Sequence, residues 1–171
     1  MRHLFATLSV LSLVCCTGCY SAAKRGLAEV KGASADIYPT RVLAPSRAKA
    51  ASARTFTVLS DGTGGAEFRA ALQTALNRRA AELKSKGKLP TGGGSSLKVK
   101  ATVRFFTAKG VSKLLGGMSF AIVRVDVLDQ SGAPLGQADC LSSTKAMRTG
   151  TQDLANALAK KIIDWVSEGK T

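Results

Sequence analysis

A regular alternation of apolar and polar residues from Leu97 to Phe106 restricts what this chain can fold into more than any other feature. Side chains along a β-strand point to opposite faces in turn, so the pattern predicts a strand with one apolar face. The predicted apolar positions are Leu97, Val99, Ala101, Val103 and Phe105. A strand of this kind needs neighbouring strands and a hydrophobic layer against its apolar face.

Two further strands are predicted after this one. The valine-rich run Ser119 to Asp129 alternates in the same way, and Asp129 to Gly132 has the composition of a tight turn. Leu135 to Ser142 would then return beside it as a hairpin partner. The three strands together predict an antiparallel meander.

Helical patterns lie on both sides of the meander. From Ala66 to Lys86, and again from about Thr149 to Gly169, apolar residues recur at three- and four-residue steps. Arg54 to Ser60 is rich in β-branched and aromatic residues and predicts a strand before the first helix. The order strand, helix, three strands, helix predicts an α+β fold, a two-layer sandwich with a mostly antiparallel sheet and both helices on one face.

The amino-terminus has the pattern of an export signal. Arg2 and His3 form a short positive region, and Leu4 to Val14 is apolar. This run of about eleven residues is short of the roughly 20 that a membrane-spanning helix needs, so a permanent transmembrane segment is the weaker interpretation.

The signal ends at a sequence that resembles the lipobox of bacterial lipoproteins. Thr17, Gly18 and Cys19 fit that motif, whereas Cys16 stands where leucine is usual. The resemblance implies cleavage before Cys19 and acyl chains on that residue, and two or three such chains anchor a protein stably. Tyr20 follows the cysteine in place of the aspartate that retains enteric lipoproteins in the inner membrane, so we expect the outer membrane, facing the periplasm.

These features divide the chain into three parts. We predict a signal peptide at residues 1–18, a lipidated cysteine and flexible tether at residues 19–53, and a periplasmic domain at residues 54–171. Within the tether, Ile37 to Leu43 leaves open a short extra strand at the sheet edge, where a proline is tolerated.

Residue counts argue against catalysis and cofactor binding. His3 is the only histidine, and it leaves with the signal. Loss of Cys15 and Cys16 and acylation of Cys19 would leave Cys140 as the one free thiol, which excludes an intrachain disulfide. We expect no enzyme activity, no metal site and no cofactor. The segment Gly117 to Ala121 resembles a nucleophile elbow but has no histidine partner, so a hydrolase is the less favoured alternative.

A run of cations without acids predicts a binding surface for polyanions. The chain has 25 Lys and Arg against 11 Asp and Glu, a net charge of +14. Such a balance favours anionic envelope polymers or lipid headgroups, whereas an aromatic content of only 5% argues against base stacking on nucleic acid. The candidate residues are Lys98, Lys100, Arg104, Lys109, Lys113 and Arg124. A solvated lysine-rich surface without a ligand is the alternative.

A second segment with two interpretations is the glycine-flanked loop from Lys109 to Gly117. It would expose Leu114 and Leu115 to a membrane or a partner, or pack them beneath a helix. The sequence alone does not choose between these arrangements.

The region from Leu97 to Val166 resembles a bacterial lipoprotein family known as domain of unknown function 4410. The shared elements are an alternating strand, a Leu-Leu-Gly-Gly loop, a valine-rich strand, an Asp-Gln-Ser-Gly turn, a further strand and a closing helix. The resemblance implies an envelope lipoprotein with a small α/β fold and no settled activity. It implies no functional residue beyond Cys19.

The expected function is non-enzymatic binding or scaffolding by a lipoprotein held in the outer membrane. Its expected partners are the membrane, through the lipid anchor, and an envelope protein or an anionic envelope polymer. The alternative is an accessory subunit of an envelope secretion or transport assembly. The oligomeric state is left open.

Overall fold

A computed structural model describes residues 32–44, 51–60, 65–89, 95–107, 119–144 and 150–168. These residues form five strands and two helices. In chain order the elements are β1 (Ser34–Arg41), β2 (Ala51–Ser60), α1 (Ala66–Ser85), β3 (Ser95–Thr107), β4 (Ser119–Leu128), β5 (Pro134–Thr144) and α2 (Thr151–Glu168).

The strands form a single five-stranded sheet in the order β1-β5-β4-β3-β2. Neighbouring strands are antiparallel except β2 and β3, which are parallel because α1 connects them. The α+β class and the mostly antiparallel sheet are therefore confirmed, as is the antiparallel meander of β3, β4 and β5.

Both helices cover the same face of the sheet, here called the inner face. Helix α1 contacts β2, and α2 contacts β1, β4 and β5, while the two helices also pack against each other. Trp165 and Phe68 are the largest fully buried side chains of this layer. The opposite side of the sheet is called the outer face.

Strand β4 shows why the two faces differ. Its residues alternate between buried and half-buried along the whole strand, and Ala121, Val123, Val125 and Val127 are fully buried under the helices. Burying these side chains provides about 25 cal/mol for each Å² of apolar surface removed from water, which favours one register of the sheet.

The sheet begins earlier in the chain than the predicted domain boundary at Arg54. The extra edge strand that the sequence left open is β1, which pairs antiparallel with β5 and starts at Ser34. Beyond it Leu43 is fully buried, and a Cβ placed on Gly136 would lie 2.9 Å from the Leu43 Cβ. Glycine at position 136 therefore lets this part of the predicted tether reach the core.

Because of a β-bulge in β3, Phe105 points to the opposite face from the one predicted. The register of β3 against β4 shifts between Val103 and Phe105, so the alternation reverses there. Phe106 consequently points inward and stacks on Phe68 with ring centroids 4.3 Å apart, while Phe105 is 42% exposed on the outer face. The sequence pattern placed Phe105 in the core because a bulge leaves no sign in a period-two alternation.

The start of α2 lies slightly later than the sequence indicates. Gly150 precedes the first helical residue, and its backbone N–H donates to the Asp153 carboxylate at 2.8 Å. In a capping box, the side chain of the third helical residue accepts a hydrogen bond from the backbone N–H of the residue before the helix, and Asp153 does so here. The carboxylate also lies near the positive end of the helix dipole, where it is stabilising.

Replacing Leu43 by alanine tests whether the segment after β1 belongs to the core. Because the side chain is fully buried, we expect Leu43→Ala to lower the free energy of unfolding by about 2–5 kcal/mol in denaturant melts. The adjacent Val42 is 75% exposed, so Val42→Ala is the matched control and should change stability by less than about 0.5 kcal/mol. Equal effects of the two substitutions would contradict the placement of Leu43.

Candidate functional site

The outer face carries the predicted cations that the structure describes. Lys98, Lys100 and Arg104 lie on β3, and Arg124 lies beside them on β4. Lys98, Lys100 and Arg104 are exposed, whereas Arg124 is half-buried. Lys109, Lys113 and the predicted lipidation residue Cys19 lie outside the described residues.

Arg124 is engaged by a carboxylate across the sheet. Its Nε and Nη2 donate to the two Asp139 carboxylate oxygens at 2.9 and 3.0 Å, which is a bidentate pair between directly opposed residues of β4 and β5. The hydrogen bond from Arg124 lowers the pKa of Asp139, against the effect of partial burial, and the charge of Arg104 lowers it further. The same pair raises the pKa of Arg124.

Hydrogen bonds also connect side chains in the next row of the outer face, which contains Asp126 and Gln137. Thr40 donates to the Gln137 side-chain oxygen at 3.0 Å, and the Gln137 amide donates to Asp126 at 2.6 Å. Lys100 lies opposite Asp126 in the register, and the Lys98 ammonium donates to the Gln130 carbonyl at 3.1 Å. The structure thus brings the four described cations together, with carboxylates between and beside them rather than as an unbroken positive surface.

A group of apolar side chains on the outer face was not predicted from the sequence. We call it the outer patch, and it consists of Leu59, Phe105, Phe120, Ile122 and Leu141. None of these residues belongs to the hydrophobic cluster of the core. Phe105 and Leu59 are 42% and 39% exposed, and the rings of Phe105 and Phe120 stack with centroids 5.2 Å apart.

The register accounts for how the outer patch forms. Phe105, Ile122 and Leu141 occupy one row across β3, β4 and β5, and Phe120 lies in the row beside it. Ile122 was visible in the sequence as an apolar residue on the polar face of its strand. The bulge that brings Phe105 to the same row had no sequence signal.

The residues that could have acted as nucleophiles lie on the inner face. Ser119 begins β4, and its buried side chain does not precede a helix as a nucleophile elbow requires. Cys140 is buried, and the resulting desolvation raises the pKa of its thiol to about 12. Both groups are therefore poorly placed for reaction with a substrate from solvent.

The described residues contain neither a cluster of metal ligands nor a membrane-spanning helix. These residues contain no group of three or more His, Cys, Asp and Glu side chains that could hold a metal ion. Among the described helices, none combines the length and the apolarity needed to cross a membrane.

Comparison with solved structures shows that the fold has a precedent. A variant of PelC from Paraburkholderia phytofirmans, solved as a dodecamer, is 15% identical with a TM-score of 0.53, covering 80% of this chain and 99% of that one. A second PelC dodecamer from that organism is 12% identical with a TM-score of 0.45 over the same shares of the two chains. A candidate lipoprotein from Caulobacter crescentus is 15% identical with a TM-score of 0.41, covering 72% of this chain and 92% of its own.

The sequence comparisons identify no family. No family model and no curated protein matches the chain. The resemblance to domain of unknown function 4410 therefore stays a prediction. At these identities, the match to the PelC variant shows a shared fold and nothing about ligands or activity.

The Arg124–Asp139 pair predicts an acid dependence of stability. A carboxylate whose pKa is lower in the folded than in the unfolded state stabilises the fold above its unfolded value near 3.9, and this contribution is lost as pH falls through the folded pKa. We therefore expect the wild type to lose more stability between about pH 5 and pH 2 than Asp139→Asn, as measured by denaturant melts at each pH. Asp36→Asn, at an exposed position of β1, is the control, and a fall in Asp139→Asn as steep as in the wild type would contradict the role of the pair.

Proposed function

We propose that the protein is a lipid-anchored outer-membrane lipoprotein that faces the periplasm and binds or scaffolds envelope components without catalysing a reaction. The observation that carries the binding role is the outer face, a sheet surface with no described helix on it that combines cations with partly exposed apolar side chains. A surface of this kind recognises a partner or polymer by contact over an area.

The lipid anchor rests on the signal that ends at Cys19 and on where the sheet begins. About 15 residues separate Cys19 from Ser34, a chain that spans at most roughly 50 Å when fully extended. An anchored cysteine would therefore keep the domain close to the membrane surface.

The non-enzymatic role is supported by the positions of the reactive groups. Removal of the signal leaves no histidine to act as a general base. Ser119 and Cys140 lie on the helix-covered inner face, away from the surface to which a partner has access.

The proposed partners follow from the charges of the outer face. Lys98, Lys100 and Arg104 form an exposed row on β3 that suits an anionic envelope polymer or an acidic protein surface. Lys109 and Lys113 follow β3 in the sequence and would add to this charge. Nucleic acid is the less favoured polyanion because the chain is poor in aromatic residues and is exported.

A second candidate is a subunit of an envelope secretion or transport assembly. The support for it is the fold shared with the PelC variant, a protein that is itself a dodecamer. The two candidates differ in the mass of the extracted protein. A discrete monomer in mild detergent would count against an assembly, whereas a large species of defined stoichiometry would favour it.

Intact mass and fractionation test the anchor. We expect the mature protein to begin at Cys19, to carry acyl chains there and to fractionate with the outer membrane. Cys19→Ala should lose the acyl mass and the outer-membrane location, while Cys140→Ala is the matched control and should keep both. An unmodified Cys19 in the mature wild type would refute the lipoprotein assignment.

Removing the β3 cations tests the polyanion surface. Each cation near an anionic surface contributes about 1 kcal/mol, so we expect Lys98→Gln, Lys100→Gln and Arg104→Gln together to weaken binding to phosphorylated lipopolysaccharide by roughly 100-fold at low salt. The matched control replaces Lys84, Lys86 and Lys88, which are exposed at the end of α1, by Gln. Wild-type binding that does not weaken in high salt would exclude an electrostatic mechanism.

A further inference from the structure

We propose that the domain docks onto the membrane that holds its anchor through the end of the sheet bearing the outer patch, with Phe105 and Phe120 in contact with the bilayer surface. The inference extends the proposed function, because it takes the lipid on Cys19 as given. It adds an orientation of the domain and a second membrane contact. The argument depends on where β1 begins relative to the patch.

The chain enters the sheet beside the outer patch. Ser34 pairs with Ser143, Ser143 pairs with Phe120, and Phe120 pairs with Thr107, so these residues form one row across β1, β5, β4 and β3. Strands lie about 4.8 Å apart, which places Ser34 only about 10 Å from Phe120. The anchored segment therefore arrives at the same end of the sheet as the aromatic pair.

The opposite end of the sheet lies about one strand length away from the point where the anchored segment enters. Strand β4 has 10 residues and rises about 3.3 Å for each, so the turn after it is about 30 Å from Phe120. If the chain between Cys19 and Ser34 behaves as a random coil, its root-mean-square span is roughly 20 Å. The lipid on Cys19 consequently holds the patch end of the domain, rather than the turn end, next to the bilayer.

The outer patch has the composition of a surface that lies in a membrane interface. Its partly exposed aromatic and aliphatic side chains can enter the boundary between headgroups and acyl chains. Arg104 is exposed beside the bulge, where it can contact lipid phosphates. A patch of this size binds a membrane weakly by itself, but the anchor makes the contact effectively intramolecular, so a weak contact is enough to orient the domain.

Fluorescence quenching by a nitroxide at the lipid headgroup tests which end of the domain lies next to the membrane. Thr107→Cys and Gln130→Cys place single labelling sites near the patch and in the turn after β4. Acylation of Cys19 and burial of Cys140, whose thiol pKa is raised to about 12, leave the introduced cysteine as the reactive thiol. Each mature, acylated protein is labelled with a fluorophore and reconstituted into vesicles of phosphatidylethanolamine and phosphatidylglycerol that contain a lipid with a nitroxide at the headgroup.

We expect the label at residue 107 to be quenched at least roughly threefold more than the label at residue 130, because the two sites are about 30 Å apart along the sheet. Phe105→Ser in the Thr107→Cys protein should reduce this difference. Tyr38→Ser is the matched control, since Tyr38 is a 56% exposed aromatic residue of the outer face outside the patch, and it should leave the difference unchanged.

Equal quenching of the two labels in protein that is acylated and bound to vesicles would refute the docking while leaving the anchor intact. Cross-linking of two copies through residue 107, together with escape from the lipid quencher, would assign the patch to a second copy and also overturn the proposal. Protein that lacks the acyl mass and does not bind vesicles would instead refute the proposed function on which the docking rests.

Discussion

The burial of one sheet face under two helices is the interaction on which the rest of this structure depends. Strand β4 contributes the inward side chains of Ala121, Val123, Val125 and Val127, which share one hydrophobic core with Trp165 of α2 and Phe68 of α1. Hydrophobic burial has no direction of its own, but in a strand it selects a face, because successive side chains alternate. A two-layer fold that covers one face of the sheet with helices leaves the other face available to solvent, a membrane or a partner.

The β-bulge between Val103 and Phe105 couples the core to that second face. One additional residue in β3 turns Phe106 inward onto Phe68 and turns Phe105 outward onto Phe120. The same local irregularity therefore completes the packing beneath α1 and creates the most exposed part of the outer patch. Bulges are often found where a strand must re-aim a side chain, and here the re-aimed residue is the one proposed to contact lipid.

The outer face combines ion pairs, exposed cations and apolar residues. The Arg124–Asp139 pair and the Gln137–Asp126 hydrogen bond fix the middle of the sheet, whereas Lys100 and Arg104 are exposed toward the β3 side. This arrangement supports two contacts, which meet at Arg104. Polyanions would bind along the cations of β3. The membrane would contact the end of the sheet that bears the outer patch, where β1 begins.

The sequence by itself determined the α+β class and the meander, because each depends on local composition or on a repeat of two or about 3.6 residues, and it predicts the export signal from local composition. It also showed which cations share the polar face of β3. Only the tertiary structure decided that Ser34–Arg41 joins the sheet and that Phe105 faces outward. Those outcomes depend on pairing between residues far apart in the chain and on a bulge, and neither leaves a periodic signal in the sequence.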